Sequence, residues 1–147
     1  MKNLKTAVFT LAIIALATFT SSAQSASEVK KEKFMLIFRG DDTHPETADL
    51  NSKKVQEYLQ SWGAWFQQLG QKGILVGGEN LYRAGKQING KDKVVTDGSF
   101  IVAKEMVNGH IFILAKDINE AVEIGKECPI FKENGKVEVR QVLRSEK

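Results

Sequence analysis

The side chains most suited to chemistry gather around Thr96-Asp97-Gly98-Ser99-Phe100. A carboxylate, a hydroxyl, an aromatic ring, a lysine and a second carboxylate fall between Asp97 and Glu105. Asp97 can serve as a general base or a ligand anchor when partly buried. It can equally fix a turn, because Asp before Gly hydrogen-bonds its own backbone and Gly accepts positive φ. His110 opens an apolar run and supplies an imidazole, the side chain that changes charge near neutral pH. A lone histidine can also be a purely structural residue. Asp97 and His110 are the candidate catalytic residues, lying close together if the sheet brings them across from one another.

Candidate ligand-binding residues surround this pair. Arg39 carries a fork that can hold a carboxylate in two places, or pair with Asp41 or Asp42. Lys104 can hold an anion and Glu105 can shuttle a proton, or both can be solvated surface charges. Phe100 adds an aromatic face. Trp62 can stack on a ligand, although its spacing from Trp65 also fits a core face of a helix. Glu79 follows Gly77-Gly78, where bare backbone admits close approach of a ligand. No Lys-Ser/Thr follows these glycines, so they do not form a phosphate loop. One Cys (Cys128) and two distant His (His44 and His110) show no metal-ligand spacing, and neither metal nor cofactor is expected. Neither Ser99 nor Cys128 has a matching His motif, which disfavours a nucleophilic triad.

These residues sit in a chain of 147 residues whose first 23 read as a secretory signal peptide. Lys2 and Lys5 form a basic start, Ala7 to Phe19 is almost wholly apolar, and Ser21 and Ala23 suit cleavage after Ala23. The apolar run is too short for a comfortable membrane span. Export to the periplasm or the exterior is the expectation, with no membrane attachment after cleavage. Loss of two lysines and no acids lowers the formal charge from +3 to +1. A domain so nearly neutral lacks the basic face of a nucleic-acid binder. Residues 24–33 form a polar lead-in, and residues 34–143 are long enough for one cored domain.

The elements follow from periodicity. Phe34 to Phe38 is a continuous apolar run, expected as a strand buried on both faces. Val55, Leu59, Trp62, Phe66 and Leu69 recur at helical steps, with Asn51 or Asp49 as cap and Gly70 or Gly73 as stop. Ile74 to Val76 forms a short strand ended by Gly77-Gly78. Asn89-Gly90 marks a hairpin whose second arm is Lys93 to Thr96. Ile101 to Val107 reads as a helical turn or loop, and His110 to Ala115 as a strand. Asp117 and Glu120 make a capping box for a second helix, with Ala121, Val122, Ile124 and Gly125 inward and Pro129 at its end. Val137 to Val142 alternates as a half-exposed strand. The order is an α+β, ferredoxin-like βαββαβ with an inserted hairpin. Two helices on one face leave the other face of the sheet to be covered by a second copy, which predicts a homodimer.

Taken in order, Phe34-Met35-Leu36-Ile37, the Trp62 and Trp65 helix and Gly73-Ile74-Leu75-Val76-Gly77-Gly78-Glu79 form a series of matching motifs. Thr96-Asp97-Gly98-Ser99-Phe100, Ala103-Lys104-Glu105, Asn108-Gly109, Cys128-Pro129 and Val137-Glu138-Val139-Arg140 continue it. Together they resemble the YCII-related superfamily, specifically its DGPF branch. The resemblance implies a dimeric α+β barrel. Ser99 stands where the motif has Pro, and Gln141 where the last strand often ends in Pro. Other members pair a helix His with an Asp; an ungapped count puts Trp62 at that helix position, so a His–Asp mechanism does not carry over.

The functional expectation is a small exported protein that binds a small polar or aromatic molecule near the Asp97 turn. The alternative is an enzyme using Asp97 and His110 for acid–base chemistry.

Overall fold

In the computed structural model, Phe34, Leu36 and Phe38 turn to one side of strand β1 (Glu32–Arg39) and are almost wholly buried. The structure describes residues 30–40, 48–97 and 106–143. Met35 and Ile37, on the other side of β1, are only half-buried. The expectation of a strand buried on both faces therefore fails. The run is uniformly apolar, but only one of its faces meets the helices, so burial alternates with the pleat.

Helix α1 (Lys53–Gln71) follows, with Ser52 as its N-cap in place of the expected Asn51 or Asp49. Asp49 instead accepts the Asn51 amide at 3.0 Å, a local turn just before the helix. Its most buried residues are Val55, Tyr58, Trp65 and Leu69, with Trp62 and Phe66 packed at the margin. The inner stripe is thus rotated toward Tyr58 and Trp65 from the expected one. The helix stops at Gly73, whose φ of +63° suits glycine. Gly73 N donates to Gly70 O at 2.9 Å and Ile74 N to Leu69 O at 3.1 Å, the paired bonds of a Schellman motif.

Strand β2 (Leu75–Asn80) does not end at Gly77-Gly78 but runs through them. A Cβ on Gly78 would lie 2.3 Å from the His110 carbonyl oxygen and 2.6 Å from Ile111 Cα. Here glycine is what lets the strand pair closely, so it extends the ladder instead of breaking it. The hairpin is β3 (Lys86–Asn89) and β4 (Val94–Asp97), a separate two-stranded sheet. Strand β5 (Val107–Ala115) begins earlier than the expected His110. Asp117 caps α2 (Ile118–Lys126) by accepting the Glu120 amide at 2.9 Å, while Glu120 accepts the Lys116 amide at 2.6 Å. A 3₁₀ helix (Pro129–Glu133), not foreseen from the sequence, leads to β6 (Lys136–Gln141).

The main sheet has the order β2-β5-β1-β6 with every neighbouring pair antiparallel, as the ferredoxin-like split βαβ requires. Both helices pack on the face carrying Phe34, Leu36, Phe38, Ile111 and Ile113. Burying each such side chain contributes about 1.5–3 kcal/mol. Among the described residues no helix covers the other face, and none is long and apolar enough to cross a membrane.

Candidate functional site

One edge of the main sheet is strand β2, and a cavity of about 350 Å³ lies along it. Its apolar wall comes from Phe38 of β1, Phe66 of α1, Leu75 of β2 and Ile111 of β5. Its polar lining comes from Glu79, Asn80 and His110. Phe38 and Ile111 belong to the helix-facing side of the sheet, whereas His110 alternates with Ile111 and belongs to the other. Gly77 and Gly78 also line the cavity, where bare backbone leaves the edge without side chains. Its size and its few polar groups in an apolar wall are those of a small-molecule site.

Glu79 and His110 are direct partners in the β2–β5 register. Opposed residues of an antiparallel pair have Cβ atoms roughly 5 Å apart, which puts a carboxylate and an imidazole within reach of one ligand. His110 also packs edge-on against Phe112, with ring centroids 5.3 Å apart. Lys33 Nζ lies over the other aromatic of this row, 5.6 Å from the Phe112 centroid.

Asp97 lies elsewhere. It ends β4 on the separate hairpin, where its carboxylate accepts a hydrogen bond from Lys86, its partner in the β3–β4 register. Its side chain is 85% exposed. Asp97 lines neither described cavity, and no hydrogen bond or ion pair joins it to His110. No strand pairing brings Asp97 and His110 together as the sequence led one to expect, because the hairpin pairs with itself and not with β5. Phe100, Lys104 and Glu105 lie outside the described residues, as does Gly98-Ser99.

Trp62 belongs to an aromatic cluster and lines no described cavity. Its ring meets Phe38 edge-on at 5.1 Å and Trp65 at 5.7 Å, and lies 5.5 Å from Phe66. It therefore backs the two aromatics that do form the wall. Arg39 is held by Glu138, its Nε and Nη2 donating to Oε2 at 3.2 and 2.9 Å. This partner is diagonal across the β1–β6 ladder and was not visible in the local sequence; Asp41 and Asp42 lie outside the described residues. Arg39 lines a second cavity of about 290 Å³ with Tyr82, Arg83 and Met106.

Sequence reasoning missed Phe38, Phe66, Asn80 and Ile111 as lining residues, and it missed Arg83 altogether. The first group reads as core, and only the bare Gly77-Gly78 edge turns part of that core into a wall. Arg83 sits in an irregular connector with no periodicity to announce it. Among the described residues no group of three His, Cys, Asp or Glu is placed to hold a metal.

A search of curated proteins finds no match to the chain. The family model of the YCII-related domain matches residues 33–146, which include both β2 and β5 and nearly all of the described fold. On that match over most of its length, the chain belongs to the YCII-related domain family.

Proposed function

We propose that the protein binds a small molecule in the cavity along β2, its apolar or aromatic body against Phe38, Phe66 and Ile111 and its polar group on Glu79 and His110. The single observation behind this reading is that Glu79 and His110, direct cross-strand partners, both line that cavity. Asp97, the expected centre of the site, enters only as a surface residue of the hairpin.

The test is a metabolite thermal-shift screen on the purified protein, repeated on Glu79→Gln and Asp97→Asn. A ligand that binds only the folded state raises the melting temperature by mass action. The reading expects at least one hit whose shift is lost in Glu79→Gln and kept in Asp97→Asn. Hits that stabilise Glu79→Gln as much as the wild type would remove this cavity as the site.

A second reading is favoured by the same pair: a carboxylate and an imidazole at one ligand are the groups of acid–base catalysis. In that case Glu79, rather than Asp97, works with His110. Following a hit by NMR over hours in the presence of protein separates the two, since a binder leaves the molecule intact.

Two further properties belong to the proposal. The leader-like residues 1–23 support export to the periplasm or the exterior. The uncovered face of the sheet supports a homodimer.

A further inference from the structure

The connector between β2 and the hairpin, residues 81–85, sorts its side chains against solvent preference. Tyr82 is 81% exposed and Leu81 42%, whereas Arg83 is the half-buried member, with its Nε fully buried. Placing apolar side chains outside and a cation inside reverses the usual pattern. Arg83 turns toward the cavity of about 290 Å³ that Arg39 also lines, with Tyr82 beside them. This cavity shares no lining residue with the one along β2.

We propose that this second cavity binds the anionic head group, a carboxylate or a phosphate, of a small aromatic molecule. Two arginines lining one small cavity suit such a head group, because a guanidinium can offer parallel N–H donors to paired oxygens. Arg39 is positioned for the role, since Glu138 holds its Nε and Nη2 and thereby fixes the guanidinium plane. Both arginines have further interactions. A guanidinium carries five N–H donors, so one that already holds a carboxylate still has donors to present to another anion. Tyr82 supplies a ring face for an aromatic body. The volume suits one ring and its head group. This site stands independently of the reading given to the β2 cavity.

The test titrates benzoate, phenyl phosphate, inorganic phosphate and neutral benzyl alcohol into the purified protein by calorimetry. Saturable binding of an aromatic anion without binding of benzyl alcohol is the expected result. Benzoate alone would identify a carboxylate site, and phenyl phosphate alone a phosphate site. Arg83→Gln should weaken binding about tenfold or more. Arg83→Lys, which keeps the charge but not the fork, should restore only part of it. Tyr82→Ala alters an exposed ring and leaves the fold intact; it should weaken the aromatic anions and spare inorganic phosphate. It decides the matter if Arg83→Gln fails to fold. No binding of any anion up to roughly 10 mM overturns the proposal. So does affinity that is equal in the wild type, Arg83→Gln and Tyr82→Ala.

Discussion

Glu79 and His110 stand opposite each other across the β2–β5 ladder, next to Gly77 and Gly78, which leave the sheet edge without side chains. The juxtaposition follows from pairing residues 31 positions apart in the chain, so it belongs to the fold and not to any local motif. It also separates two jobs that a histidine can do. The His110 ring packs on Phe112, and the proposed binding would use its nitrogens.

His110→Phe tests that separation. The ring contact is kept, so the unfolding free energy should change by less than about 1 kcal/mol. The melting-temperature rise produced by a ligand of the β2 cavity should disappear. If the rise survives, His110 is packing alone and plays no part in binding.

Gly78→Ala probes the bare edge itself. The added Cβ would meet backbone atoms of β5, the His110 carbonyl oxygen at 2.3 Å and Ile111 Cα at 2.6 Å. Backbone cannot swing aside as a side-chain tip can, so β2 must shift off the ladder. Denaturant unfolding should show a loss of about 1–3 kcal/mol. An unchanged midpoint would mean that the two strands do not approach so closely.

What the sequence made legible, and what it did not, divides along the range of the interactions. Helix α2 is readable because Asp117, Glu120 and Pro129 act within a turn of the residues they order. The stripe of α1 is readable in outline but rotated, because Tyr58 and Trp65 were decided by what β1 and the 3₁₀ segment present to them. Gly77-Gly78 reads as a stop by local rule, and only the approach of β5 explains why β2 continues. The cavity was hidden for the same reason: Phe38 and Ile111 look like core until the edge beside them proves empty. Asp97 misled in the opposite sense. Its neighbourhood is dense in polar groups along the chain, yet the hairpin carries it to solvent and to Lys86.

Asp97→Asn should therefore be nearly silent. The Lys86–Asp97 pair is exposed on both sides, 69% and 85%, and such pairs contribute about 0–1 kcal/mol. Melting temperature and ligand shifts in the β2 cavity should both stay at wild-type values. A lost ligand shift at unchanged stability would return Asp97 to the site.

Trp62→Ala should do the reverse, lowering stability without touching specificity. The ring contacts Phe38, Tyr58, Trp65 and Phe66 and lines no described cavity. Truncating a packed aromatic costs about 3–5 kcal/mol when fully buried, and this half-exposed one should cost less. The ranking of hits in a ligand screen run well below the new melting temperature should be preserved. A reordered ranking would make Trp62 part of the ligand surface.

Ile37→Asp addresses the sheet face that the helices leave uncovered. Ile37 lies between His110 and Glu138 in the cross-strand register, and Met35, Phe112 and Leu114 are half-buried on the same face. Apolar side chains in such a row gain from a second copy what they do not obtain from either helix. The wild-type protein should elute as a dimer with light-scattering detection at micromolar concentration. Ile37→Asp should elute as a monomer, because two copies related by a twofold axis would each bury an unpaired carboxylate. Circular dichroism should show the same secondary structure in both, since the helix-facing core is unchanged. A wild-type monomer would dispose of the dimer whatever the variant does, and a dimeric Ile37→Asp would place the interface on another surface.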